Sequence, residues 1–108
     1  MISKVVIFTE GGLTKGFGHI TRCLSVYDAF LLKKITPKLI IDGDESIYHL
    51  IENEKFLIHN WINEINSLSE LINNIDIAVF DSYFATEELY NHLIKRIKTD
   101  RMIKPPER

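Results

Sequence analysis

Cysteine is almost missing from this chain, with Cys23 the only one among 108 residues. A single thiol excludes an internal disulfide and any zinc site built on several cysteines, and it fits a reducing compartment. Long apolar runs are missing too. The amino terminus offers only Val5-Val6-Ile7-Phe8 before Thr9, too short for the apolar region of a secretory signal, and no later stretch approaches a membrane span. Nor does one sign of charge prevail. Thirteen Lys and Arg stand against 15 Asp and Glu, a net charge of −2, and the signs are interspersed, so there is no basic stripe of the kind nucleic acid binding needs. These absences argue for a cytoplasmic protein with neither nucleic acid nor membrane as partner.

What is present is ordinary globular material: 45% hydrophobic and 26% charged residues, enough to fold as one compact domain with little room for a second. Glycine is scarce, with five in all, yet Gly11, Gly12, Gly16 and Gly18 fall close together. They form the loop Thr9-Glu10-Gly11-Gly12-Leu13-Thr14-Lys15-Gly16-Phe17-Gly18-His19, which follows the first apolar run directly. Such a loop sits at the carboxyl end of a first strand, where open α/β sheets place their ligands.

Beyond the loop, Ile20, Cys23, Leu24, Tyr27, Phe30 and Leu31 recur at helical spacing, and Thr36-Pro37 is expected to end that helix. Leu39-Ile40-Ile41, closed by Asp42-Gly43, reads as a strand covered on both faces. A short helix is expected over Ser46 to Asn53 and a third strand at Phe56-Leu57-Ile58. Ser67-Leu68-Ser69-Glu70 has the form of a capping box opening a helix to about Asn74, with Leu68, Leu71, Ile72 and Ile75 inward. Ile77-Ala78-Val79-Phe80 is a fourth strand that delivers Asp81-Ser82-Tyr83 to the edge carrying the glycine loop. Thr86 can cap a last helix, with Glu87 and Glu88 near its positive end and Lys95, Arg96 and Lys98 near its negative end. Alternating strands and helices predict a doubly wound parallel α/β sheet over residues 1–98, a Rossmann-like half. Met102-Ile103 before Pro105-Pro106 is too little for a further strand, so 99–108 is expected to be an irregular tail and the α/β lobe to be truncated.

Several residues at the carboxyl edge can carry chemistry. Gly12, Gly16 and Gly18 allow close backbone approach, and the start of the first helix favours an anion such as phosphate. The other reading is a tight turn alone. A dinucleotide fingerprint would want glycine or alanine where Thr21 stands, so that motif is not met, although Asp42 lies about where a ribose-binding acid would. His19 at a helix amino terminus is biased toward neutral imidazole and suits a general base, or else it only caps or packs. Arg22, one turn later, either binds phosphate or a carboxylate or pairs with Asp42 or Asp81. Asp81 and Tyr83 share a side if the strand continues that far, and the phenol can then hold a sugar hydroxyl or water; the other reading of Asp81 is a structural residue that fixes its loop. Trp61 either stacks on a ring or packs under a loop. His49, His59 and His92 lack metal-ligand spacing.

The stretch Glu10-Gly11-Gly12 through Gly16-Phe17-Gly18-His19, the following Thr21-Arg22-Cys23-Leu24, and Phe80-Asp81-Ser82-Tyr83 together resemble the amino-terminal domain of the PseG-type UDP-sugar hydrolases. These act on UDP-2,4-diacetamido-2,4,6-trideoxy-β-L-altropyranose in pseudaminic acid biosynthesis and are related to SpsG proteins and MurG-like glycosyltransferases. The resemblance runs to about Ile97. It implies a glycosyltransferase-B lobe, a UDP-activated amino sugar as ligand, and metal-independent hydrolysis without a cofactor. It also implies that His19 activates water and that Tyr83 is an active-site tyrosine, while Gly12, Gly16, Gly18, Arg22 and Asp81 are expected from their place at the edge to bind substrate. The family's second lobe is not in this sequence, so little turnover is expected of this chain alone. The neighbouring readings are the acceptor-binding lobe of a glycosyltransferase and a non-catalytic module that self-associates through an exposed sheet edge.

Overall fold

A computed structural model describes residues 4–51, 56–64, 74–97 and 102–103. Its elements are β1 (Val5–Gly11), α1 (Gly18–Leu32), β2 (Lys38–Gly43), β3 (Phe56–Ile58), β4 (Ile77–Asp81), α2 (Glu87–Ile97) and β5 (Met102–Ile103). The strands form one sheet in the order β3-β2-β1-β4-β5, and every pairing is parallel. This is the doubly wound α/β sheet expected.

The central strand explains itself. Each of the seven residues of β1 is buried, as a strand with a helix on both sides requires, and its β-branched run suits a pleated ladder. Alternation sends Ile7 toward α1, where it packs with Ile20, Cys23, Tyr27, Leu39, Ile41 and Val79. Val6 and Phe8 go the other way and pack with Ile40, Phe80, Tyr90 and Leu93 under α2. Phe8 and Phe80 are register partners, and their rings stack 4.7 Å apart. Trp61 tilts against both and is fully buried, with its Nε1–H donating to the Thr9 carbonyl at 2.7 Å. The ring is therefore core, with its polar atom satisfied.

Helix α1 has no side-chain cap, no acidic residue in its first turn and no basic residue in its last, so packing of its apolar face holds it. It stops at Leu32 rather than at Thr36-Pro37. Lys34 takes a left-handed φ of 63°, and the amides of Lys33, Lys34 and Ile35 close on carbonyls of Phe30 and Leu31, so the chain has already turned before proline is reached. Of the helix expected over Ser46 to Asn53, the described residues show a 3-10 turn, Glu45–His49, begun by the Asp44 side chain accepting from Ser46 N–H, and Asn53 lies outside them. Ile75 is buried as expected, whereas Ser67, Leu68, Ser69, Glu70, Leu71 and Ile72 lie outside the described residues. Thr86 does cap α2, its Oγ1 accepting from Leu89 N–H at 3.2 Å. Lys95 and Arg96, near the end of that helix, and Lys98 fall outside the described side chains. The tail is not wholly irregular, because Met102 and Ile103 pair with Ala78 and Val79. Two residues suffice there because an edge strand needs a ladder on one side only.

Candidate functional site

Parallel register sorts the carboxyl edge. Thr9 faces Asp81 across β1 and β4, and Glu10 faces Asp42 across β1 and β2. Since Thr9 follows the alternation of Ile7, it and Asp81 lie on the α1 face. Glu10 and Asp42 follow Phe8 and Ile40 onto the α2 face.

On the α1 face three side chains meet. Asp81 Oδ1 lies 2.6 Å from His19 Nδ1. Arg22 closes on the same carboxylate with two bonds, Nε to Oδ2 and a terminal nitrogen to Oδ1, both 2.8 Å. The alternative partner of Arg22, Asp42, is excluded by this pairing. The terminal nitrogen of Arg22 also lies 2.8 Å from His19 Nδ1, so two assignments of the imidazole proton compete. Were Nδ1 an unprotonated acceptor, its lone pair would face the carboxylate at 2.6 Å, a repulsive contact. A carboxylate oxygen can only accept, and the Arg22 nitrogen already donates to Oδ1, so the proton is assigned to Nδ1, donating to Asp81; in a singly protonated ring Nε2 is then the acceptor. Burial works against ionised Asp81, but hydrogen bonds from Arg22 and His19 outweigh it and hold the carboxyl below its ordinary range. The hydrogen bond and charge of Asp81 in turn raise Arg22. Asp81 is further fixed at its backbone, since Thr9 Oγ1 donates to its carbonyl at 2.9 Å. Nearby Cys23 is buried, which pushes its thiol up to about 11, so it is no nucleophile at neutral pH.

The glycine loop closes on itself. Gly12 N–H donates to the Gly16 carbonyl at 3.0 Å and Gly16 N–H to the Gly12 carbonyl at 2.8 Å. Both glycines have positive φ, 137° and 77°, and a side chain on Gly12 would collide with the Asp44 carboxylate. That carboxylate also takes the Leu13 amide at 3.1 Å. These amides are thus committed within the protein. The first amide of α1 with an intrahelical partner is that of Thr21, on the Phe17 carbonyl, so the amides of Gly18, His19 and Ile20 precede the ladder and point out of the helix start. Space above Gly18 is open: a Cβ there would meet nothing within 4 Å.

Tyr83 is placed differently from expectation. Strand β4 ends at Asp81; Ser82 still follows the alternation, its hydroxyl donating to Glu10 on the α2 face, and the chain bends at Tyr83 and Phe84, so alternation does not carry Tyr83 to the side of Asp81. Its ring is 60% exposed and packs edge-on to Phe84 at 5.5 Å. Asp42 is engaged as well, accepting from Lys15 Nζ at 3.0 Å and from Ile62 N–H at 3.3 Å, which leaves no open ribose-binding acid. Among the described residues no three of His, Cys, Asp and Glu are grouped to hold a metal. His49 and His92 are exposed and His59 is half-buried.

A cavity of about 230 Å³ lined by Phe17, Ser46, His49 and Leu50 opens beside the start of α1. A larger one, about 380 Å³, is lined by Thr36, Pro37, Lys38, Phe56 and Leu57. It lies where β2 and β3 begin, at the edge of the sheet away from the chemistry.

Glu10, Lys15 and Ser82 matter more to this edge than their residue types suggested. The signal was present for Glu10: a carboxylate directly continuing a strand buried on both faces must itself be buried and bonded. No helix among the described residues is long and apolar enough to cross a membrane. No protein-family model, curated protein or solved structure matches this chain.

Proposed function

We propose that the chain is the amino-terminal lobe of a metal-independent UDP-sugar hydrolase, with His19 as general base and a UDP-activated diacetamido sugar as substrate. The observation that carries this reading is the His19–Asp81–Arg22 cluster beside the open start of α1. The sugar itself comes from the resemblance of the glycine loop and the Asp81-Ser82-Tyr83 segment to the PseG type.

In this mechanism His19 Nε2 takes a proton from water as the water oxygen bonds to the anomeric carbon. The bond from that carbon to the phosphate oxygen breaks, and its electron pair leaves with UDP. Asp81 does not take the proton. It holds the ring through Nδ1 and stabilises the imidazolium that forms, while Arg22 keeps the carboxylate ionised and in place. The diphosphate, which gains charge in the transition state, lies against the amides and positive end of α1. Gly18 contributes by having no side chain there, and a place for Tyr83 beside the sugar comes from the resemblance alone.

The test is UDP release by this sequence joined to a nucleotide-binding carboxyl-terminal lobe. His19→Ala is expected to lower the rate by about 10²–10⁴-fold, the range of general-base catalysis. A rate near that of the parent rules out the assigned role. Release that depends on an added sugar acceptor, rather than on water, makes the lobe that of a glycosyltransferase instead.

A further inference from the structure

Glu10 is fully buried near the end of β1, and the bonds of its carboxylate run to the segment that follows Asp81. Its Oε1 accepts from the Ser82 hydroxyl and from Phe84 N–H at 3.3 Å. The Ser82 hydroxyl in turn accepts from Ala85 N–H at 3.0 Å. Its Oε2 has no hydrogen-bond partner among the described residues, so its hold on this segment runs through one oxygen. The preceding residue, Thr9, grips the Asp81 carbonyl from the opposite face of the sheet. Thr9 and Asp81 are also the last paired residues of β1 and β4, and past them Glu10 is the β1 residue bonded to the chain at Ser82 and Phe84.

We infer that Glu10 is a positioning residue for the proposed site: by fixing the turn at Ser82–Phe84 it holds the end of β4, and so presents the Asp81 carboxylate to His19 Nδ1. Without an acceptor at position 10, the Ser82 hydroxyl and the Phe84 amide must turn toward water, and the end of β4 frays with them. Asp81 then loses its fixed distance to the imidazole. Calling this a reaction site rests on the function proposed above, but the geometry can be read without substrate.

The readout is the tautomer of His19 in the full chain. It is measured by long-range proton–nitrogen NMR on histidine-labelled protein at pH about 8.5, where an ordinary imidazole is neutral. Signals of His19 are those missing from His19→Gln. The parent is expected to show the Nδ1–H form. Glu10→Gln keeps a carbonyl oxygen for Ser82 and Phe84 and is expected to retain that form. Glu10→Ala and Ser82→Ala are expected to lose it in favour of the Nε2–H form that predominates in unconstrained imidazole.

Leu93→Ala, a buried α2 substitution, serves as the control: it lowers the melting temperature without moving the tautomer. The inference is overturned if Glu10→Ala keeps the Nδ1–H form, if the parent lacks it, or if Leu93→Ala loses it equally. Should Glu10→Ala not fold, Ser82→Ala decides alone, and an unchanged tautomer there overturns the inference too. Normal UDP release by His19→Ala, together with loss of the tautomer in Glu10→Ala, would refute the reaction and leave the positioning role standing.

Discussion

The two faces of the sheet's carboxyl edge hold acids in opposite ways. On the α1 face, Asp81 is bound by two cationic or ionisable side chains, and one of these, Arg22, is 63% exposed. On the α2 face, Glu10 is fully buried and bound by a hydroxyl and a backbone amide. Asp42 lies between the two cases, tied to Lys15 and a backbone amide. Side chains that reach solvent can exchange partners and protons, whereas a carboxylate fastened to backbone can only define a path. For the reaction proposed above, the difference favours the side beside α1, with the α2 face acting as its foundation.

The strongest way to break the comparison is to remove the foundation. Trp61→Ala takes out a ring packed on Phe8 and Phe80 together with its hydrogen bond to the Thr9 carbonyl, and is expected to cost about 3–5 kcal/mol of stability. Denaturant unfolding measures this, and a loss below about 1 kcal/mol would show that the α2 face does not support the edge.

A smaller effect is expected from Asp81→Asn, about 1 kcal/mol or less, because the Arg22 side of the pair is solvated. Acid sharpens this test. The Asp81 carboxyl is lowered in the folded chain, so the folded form binds that proton more weakly than the unfolded form, whose carboxyl titrates near pH ~3.9. Its stabilisation is therefore complete above the unfolded value and is lost as pH falls through the folded one. Melting temperatures of parent and Asp81→Asn should converge on acidification below pH ~4. Parallel curves would mean that the cluster adds nothing to the fold.

Smallest in stability is Gly18→Ala. A Cβ meets no protein atom there, and alanine favours a helix, so the fold should change by no more than about 1 kcal/mol, on the stabilising side. Affinity for a UDP-sugar, followed by titration calorimetry, should nonetheless fall about tenfold or more if the diphosphate approaches the helix start. Unchanged affinity would move the ligand elsewhere on the edge.

Much of this was legible in the sequence. The runs at Val5–Phe8, Leu39–Ile41, Phe56–Ile58 and Ile77–Phe80 all became strands, because a buried parallel strand is an uninterrupted apolar run. His19 and Asp81 were legible as edge residues for the same reason: each follows a strand or its loop. Local pattern could not choose the partner of Arg22, since that depends on register, which sets Asp81 of β4 on the α1 face and Asp42 of β2 on the other. The bend at Tyr83 was hidden likewise, because the segment is held by another strand, the Ser82 hydroxyl and the Phe84 amide both donating to Glu10. Lys34 misled more simply: any residue can adopt its left-handed conformation at some cost, and only glycine or asparagine would have advertised it.

The glycine loop, clasped by its two reciprocal bonds between Gly12 and Gly16, has a thermodynamic consequence. Freezing a backbone residue opposes order by about 1–2 kcal/mol of entropy, and for these residues that loss falls within folding itself. A ligand arriving at the start of α1 meets a rim that is already rigid, so little of its binding free energy is diverted into organising its own receptor.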